Sequence, residues 1–313
     1  MLQSIEKDNY NNINTISTEI LSACTLCPRE CKVDRFEKSG YCGMPATVFG
    51  ARAALHLWEE PCITGKNGSG TVFFTGCTLR CVFCQNHNIA NGSVGKEITI
   101  EHLSTIFLSL QEKGATNINL VTPTHYVSQI VKALILAKQN GLTIPIVYNT
   151  SGYEKVSTLK LLDGYVDVYL PDFKYMDENL ALRYSNAKDY PTIAKEAIKE
   201  MVRQVGTPVF EHDIIKRGVI VRHLVLPGYR TDSKKILRYL YETYHDTIYL
   251  SIMNQFTPLT GLSNYPEINR IVTKREYNDV IDFAIELGIT NAFIQEGQTA
   301  SESFIPEFTF EGI

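Results

Sequence analysis

The chain has 313 residues, of which 44% are hydrophobic and 20% charged, and a net charge of -4. That composition is globular and excludes a disordered chain, and its acid balance lacks the basic footprint of a nucleic-acid-binding protein. No stretch approaches the ~18 consecutive apolar residues that cross a bilayer, and the opening MLQSIEKDNYNNINTIS has acids and amides where a secretion signal has a basic and then an apolar region. The expectation is a cytoplasmic protein with neither membrane nor nucleic acid as its main partner.

All eight cysteines fall within the first 84 residues. A secreted disulfide scaffold would spread them, so their tight spacings point to metal or cluster ligands in a reducing compartment. The first set, Cys24-x2-Cys27-x3-Cys31-x10-Cys42, has Pro28, Gly40 and Gly43 supplying turns. Four thiolates close a coordination sphere, so this set reads as structural zinc or a second, saturated iron-sulfur cluster, against a plain loop of reduced cysteines. Cys62 has no nearby partner and reads as a small core residue. Residues 1–69 are expected to form a small Cys-rich, metal-stapled extension, with the glycines of 65–70 as a linker.

From Gly70 onward, short β-branched runs alternate with amphipathic stretches. Strands are expected at Thr71–Thr75, Asn117–Val121, Pro145–Asn149, Val166–Leu170, Val219–Leu226, Thr247–Met253 and Asn291–Gln295. Helices are expected at Ile100–Lys113, Tyr126–Asn140, Glu154–Leu162, Thr192–Val205, Ser233–Tyr244 and Lys274–Leu287. The strands are apolar on both faces, as in a parallel sheet covered by helices. Right-handed crossovers in series curl such a sheet into a partial or full TIM-like (β/α) barrel over residues 70–313; a doubly wound open sheet is the alternative.

The second cysteine set, Gly76-Cys77-Thr-Leu-Arg-Cys81-Val-Phe-Cys84, follows the first expected strand, where the active sites of such barrels lie. Thiolates suit iron-sulfur clusters, and three of them on a [4Fe-4S] cube leave one iron open. An open iron chelates the amino and carboxylate groups of S-adenosylmethionine, and an electron passed into the adjacent sulfonium releases a 5'-deoxyadenosyl radical that abstracts hydrogen from a substrate. Structural zinc with a borrowed ligand such as His87, or cysteines that cluster without a metal, are the bland readings.

This CxxxCxxC loop resembles that of the radical SAM superfamily. With NLVTPTHYV, VYNTSGYE, VDVYLPDFKY and RHLVLPG, the sequence resembles uncharacterised relatives of pyruvate formate-lyase activating enzyme over about residues 20 to 300. The resemblance implies that Phe83 packs on the adenine, that Asn149 and Ser151 belong to the ribose-contacting turn, and that Asp172 and Lys174 bind the methionyl portion; an ordinary helix N-cap at 149–152 and a salt bridge between Asp172 and Lys174 that finishes the strand are the structural alternatives. It also implies that Arg222 reaches the cofactor's carboxylate. Arg222 lies in an apolar strand and needs an anion, for which Asp172 is the structural alternative.

Two departures stand out. The second strand ends Val121-Thr122-Pro123-Thr124-His125 rather than in a glycine-glycine-glutamate-like turn, leaving His125 as a proton donor or a helix cap. A later-strand histidine of related activating enzymes is replaced by the amides of Asn254-Gln255.

The resemblance implies a low-potential electron donor such as flavodoxin or ferredoxin, and a substrate that includes, as one case, a glycyl-radical protein. The rival readings are an iron-sulfur electron carrier and a zinc-binding nucleic-acid module at residues 20–45, whose RECKVDRFEK run mixes both signs of charge.

Overall fold

A computed structural model describes residues 17–258, 261–295 and 306–313. Its strands are β1 (Val48–His56), β2 (Ser69–Phe74), β3 (Lys96–Ile98), β4 (Ile118–Val121), β5 (Ile146–Thr150), β6 (Val168–Pro171), β7 (Val209–Glu211), β8 (Ile214–Leu224), β9 (Tyr249–Met253) and β10 (Ala292–Ile294). The helices whose full bounds lie within the described residues are α1 (Pro61–Thr64), α2 (His87–Ala90), α3 (Ile100–Glu112), α4 (Val127–Gln139), α5 (Val156–Leu159), α6 (Glu178–Ser185), α7 (Tyr190–Val205), α8 (Arg230–Tyr244) and α9 (Lys274–Glu286).

Strands β2, β4, β5 and β6 are buried at every position, because helices cover one face and the barrel interior the other. The parallel strands stand side by side in chain order, β2-β4-β5-β6-β8-β9-β10. A doubly wound sheet reverses direction at a switch point. This one does not, and it forms an open arc, the partial TIM-like barrel.

Every expected strand appears. The periodicity missed β1, β3 and β7, which pair antiparallel and carry polar or small residues. It also missed α6, capped by Asp177, whose carboxylate accepts from the Asn179 and Leu180 amides. The expected helix at Glu154–Leu162 is instead the single turn of α5 running into a 3-10 turn at Lys160–Leu162.

One difference bears on function. β1 lies before the expected boundary at residue 69, yet it pairs along the whole of β2. The chain between them enters the barrel interior: Cys62 and Ile63 of α1 pack against Val147, Val168, Leu170 and Ile220 of the surrounding strands. Cys62 is 3% exposed, a core residue as expected. Asn117 fixes this plug by donating to the Ile63 carbonyl at 2.7 Å and accepting from Ser69 at 2.6 Å.

Candidate active site

The turn after β2 is set by Gly76, whose φ is +90° and at which a Cβ would stand 2.3 Å from the Met44 side chain. A larger residue is excluded there. The loop then turns back through Arg80, at φ 55°, and carries Cys77, Cys81 and Cys84 to one pocket at the carboxyl ends of the strands. The Leu79 and Arg80 amides each point at Cys77 Sγ from 3.4 Å, and the Ser185 hydroxyl donates to Cys81 Sγ at 3.0 Å. Such donors favour thiolates as ligands. Burial pushes the Cys77 thiol up and the Cys84 thiol to about 12. Among the described residues no three His, Cys, Asp or Glu side chains are arranged as a metal-ion site.

Phe83 is buried, packs edge-on or tilted against Tyr175, Tyr184 and Phe256, and lines the same pocket. So do Asn149, Ser151, Asp172, Lys174 and Arg222. The turn at Ser151 is pressed against β6, because a Cβ on Gly152 (φ +77°) would meet the Asp172 carbonyl at 2.2 Å. The Tyr190 hydroxyl, from α7, accepts from the Lys174 amide and lies 2.9 Å from the Ser151 and Asp172 carbonyls. One buried tyrosine thus fixes the ends of β5 and β6 together.

The charges form a continuous chain across the interior. Lys174 Nζ contacts Asp172 at 2.6 Å, and Arg222 Nε reaches the other oxygen of Asp172 at 3.0 Å. Arg222 also donates to Asn149 at 2.6 Å and to Glu59 at 3.2 Å. Glu59 accepts from Asn119 at 3.0 Å and from Asn149 at 3.4 Å. Burial drives Glu59 up to about 7, with Arg222 opposing. For Asp172, burial also works upward, but Lys174 and Arg222 outweigh it and hold the carboxyl below its ordinary value. Burial pulls Lys174 down, and Asp172 overrides it to leave the ammonium at about 12.

The sequence named every member of this chain except Glu59 and Asn119. The one signal for Glu59 was a pair of acids, Glu59-Glu60, set between Trp58 and the apolar PCI.

His125 does not face the pocket. It is 1% exposed, its Nε2 lies 2.7 Å from the Thr75 carbonyl, and burial and then Arg35 hold it near 3, so it is neutral. The proton-donor role is thereby corrected, as is the capping role, because the ring points back at β2. Gln255 lines the pocket and its carbonyl accepts from Gln85 at 3.0 Å; Asn254 does not line it. His87 is exposed and outside the pocket lining.

The first cysteine set lies behind the loop. Cys24, Cys27 and Cys42 are buried and Cys31 is half-buried. Burial raises Cys27 to about 12, and the charges of Cys42, Cys24 and Cys31 add to it, so the four are electrostatic neighbours. Arg29, between Cys27 and Cys31, donates to the carbonyls of Thr78 at 2.9 Å and Ser185 at 2.9 Å, and to Asn186. Its guanidinium also stacks 4.1 Å from the Tyr41 ring centroid.

Comparison with known proteins identifies the class. The sequence model of the Radical SAM superfamily matches residues 71–240. The chain is 31% identical over 280 residues to an uncharacterised protein of Methanocaldococcus jannaschii, covering 86% of this chain and 76% of that one. It is 26% identical over 196 residues to the pyruvate formate-lyase-activating enzyme of Clostridium pasteurianum, covering 59% and 74%.

Among solved structures, methylornithine synthase superposes with a TM-score of 0.51 at 16% identity, over 91% of this chain and 74% of that one. A radical SAM methyltransferase of Sphaerobacter thermophilus gives 0.50 at 17%, over 72% of this chain and 66% of that one. Both show the fold. The chain belongs to the radical SAM superfamily, whose enzymes use a [4Fe-4S] cluster and S-adenosylmethionine. No helix among the described residues is long and apolar enough to cross a membrane.

Proposed function

We propose that Cys77, Cys81 and Cys84 hold the [4Fe-4S] cluster and that the pocket beside them takes S-adenosylmethionine. The observation that carries this reading is that three thiols and the cations Lys174 and Arg222 line one pocket at the carboxyl ends of the strands. When bound, the two cofactors supply a 5'-deoxyadenosyl radical that takes a hydrogen atom from the substrate.

The protein's part is binding and orientation. The Leu79 and Arg80 amides and the Ser185 hydroxyl stabilise thiolate charge. Phe83 offers a face for the adenine, and Asn149 and Ser151 stand where polar contacts to the ribose are needed. Lys174 is the better anchor for the methionyl carboxylate. Its ammonium makes one ion pair, whereas Arg222 already serves Asp172, Asn149 and Glu59. Arg222 is therefore a positioning residue that holds Asp172 and, through it, Lys174. A saturated electron carrier has no use for such a charged pocket.

For the substrate we favour a protein on which a glycyl radical is installed, with a flavodoxin or ferredoxin as electron donor. The likeness to the activating enzyme over 196 residues supports it. We also assign Cys24, Cys27, Cys31 and Cys42 to a separate metal, zinc or a saturated cluster, that takes no part in the chemistry. The mutual electrostatic contact of the four thiols supports that assignment.

One anaerobic experiment tests the main reading. Reconstituted protein with a low-potential reductant should form 5'-deoxyadenosine from S-adenosylmethionine, and the Cys77→Ala, Cys81→Ala, Cys84→Ala triple variant should form none. Cleavage persisting in the variant overturns the assignment. Capture of partners with the same preparation and mass spectrometry should return a glycyl-radical protein; its absence removes the protein target.

A further inference from the structure

Tyr190 ties the ends of β5 and β6 together at the pocket. The ends of β4 and β5 are tied by another buried group, the carboxyl of Glu154, to which the proposed chemistry gives no part. Glu154 is 1% exposed and lies outside the pocket lining. Its Oε1 accepts from the Thr124 hydroxyl, in the 3-10 turn that follows β4, at 2.5 Å, and from the Thr150 hydroxyl at the end of β5. One oxygen thus receives a donor from each turn.

The backbone beside this junction is held in an uncommon shape. Thr122 has a φ of 58°, in the left-handed region that a β-branched side chain rarely adopts, and it lines the pocket. A residue stays in such a conformation only when its surroundings over-determine it. The Thr122 amide donates to the Asn149 carbonyl at 2.9 Å, the His125 ring lies against the Thr75 carbonyl, and the Thr124 hydroxyl is held by Glu154. Only the last of these contacts carries on to Thr150. There the hydroxyl that donates to Glu154 accepts from the Gly152 amide at 3.4 Å, and the Thr150 carbonyl accepts from the Asp172 amide at 2.9 Å. Thr122, Asn149, Ser151 and Asp172, all in the pocket lining, are therefore set relative to one carboxyl.

We infer that Glu154 is a positioning residue for S-adenosylmethionine: without touching the cofactor, it locks the turns after β4 and β5 to each other and so fixes the pocket wall from Thr122 to Ser151. This deepens the proposed reading of the pocket and rests on it. The role requires an acceptor for two hydroxyls, which a glutamine carbonyl also supplies and a leucine does not.

The test is S-adenosylmethionine binding to the anaerobically reconstituted holoenzyme without reductant, by titration calorimetry well below the melting temperature of each variant. Glu154→Leu should weaken binding by about tenfold or more, and Thr124→Val, at a side chain outside the pocket lining, by roughly 2- to 12-fold. Glu154→Gln should stay close to the wild type. With reductant added, KM for S-adenosylmethionine in 5'-deoxyadenosine formation should rise in the first two variants while kcat holds. Unchanged affinity in either of them while folded, whatever its melting temperature, marks a residue that only supports the fold and overturns the inference. A fall in kcat with KM unchanged overturns it too, as does Glu154→Gln binding as weakly as Glu154→Leu. If Glu154→Leu fails to fold, Thr124→Val decides, because it removes one hydroxyl and nearly keeps the side chain's shape. Failure of the underlying reading is distinct, since the wild type itself then neither binds S-adenosylmethionine nor forms 5'-deoxyadenosine.

Discussion

The cysteines at 77, 81 and 84 stand at the mouth of the barrel and share a pocket with Lys174 and Arg222, whereas those at 24, 27, 31 and 42 lie behind that loop among backbone groups. Around the second set, the Cys24 amide donates to the Val33 carbonyl, the Lys32 amide to the Cys24 carbonyl, and the Tyr41 amide points at Cys31 Sγ from 3.2 Å. On the roles proposed above, the same residue type serves two ends. Thiols opening on a charged cavity suit chemistry, and thiols closed in by their own turns suit a staple. Arg29 joins the two regions, because its side chain starts within the staple and ends on carbonyls at Thr78 and Ser185.

The largest expected effects separate the two cations of the pocket. Arg222→Met leaves Asp172 and Glu59 without their shared partner in a buried site, and should destabilise the chain by roughly 3 to 5 kcal/mol. Lys174→Met leaves Asp172 paired with Arg222, so the fold should stand while S-adenosylmethionine binds ~10- to 150-fold more weakly, a loss of roughly 1.5 to 3 kcal/mol. Thermal melting and titration calorimetry read the two. Equal melting temperatures for both variants, with unchanged affinity for Lys174→Met, would move the cofactor site elsewhere.

A middle-sized effect concerns the staple. Cys24→Ser with Cys27→Ser should lower the melting temperature and remove one metal, seen by elemental analysis, before the Cys77 cluster is altered. Arg29→Ala should remove roughly 2 kcal/mol of loop anchoring and leave that metal in place. Well-folded wild type that holds no zinc and no iron beyond the Cys77 cluster would refute the staple.

A further effect is a pH dependence carried by Glu154 at the base of the β5 turn. Burial raises this carboxyl from 4.5 to about 7, against hydrogen bonds from Thr124 and Thr150. The unfolded chain releases the proton near 4.5 and the folded chain holds it to about 7, so this group's stabilising contribution falls as pH rises through that window and is level above it. Glu154→Gln should flatten the decline by roughly 2 to 3 kcal/mol, read from melts at pH 5 and pH 8. A slope equal to that of the wild type would show that Glu154 ionises normally. Glu59, held up to about 7 inside the charge chain, adds a second decline of the same sign.

Much was legible before the fold was known, because it is written at short range. The CxxxCxxC loop needs three residues within eight positions of one another, and the barrel strands announce themselves as buried apolar runs between capped helices. Asp172 and Lys174 sit two residues apart on one strand end. The antiparallel β1 was not legible, since VFGARAALH has neither clean alternation nor a continuous apolar run. Nor was the direction of His125, which depends on a contact with Thr75 fifty residues away.

The sequence by itself determined the class of chemistry, through thiols whose spacing along one loop admits few other uses, and the parallel barrel, through its periodicity. Tertiary structure alone decided what stands opposite those thiols. Glu59 and Arg222 are separated by 163 residues, and they meet because α1 plugs the open barrel and lifts the acids into its interior. No local pattern encodes that meeting, since a contact across the barrel follows from how the strands close around the plug.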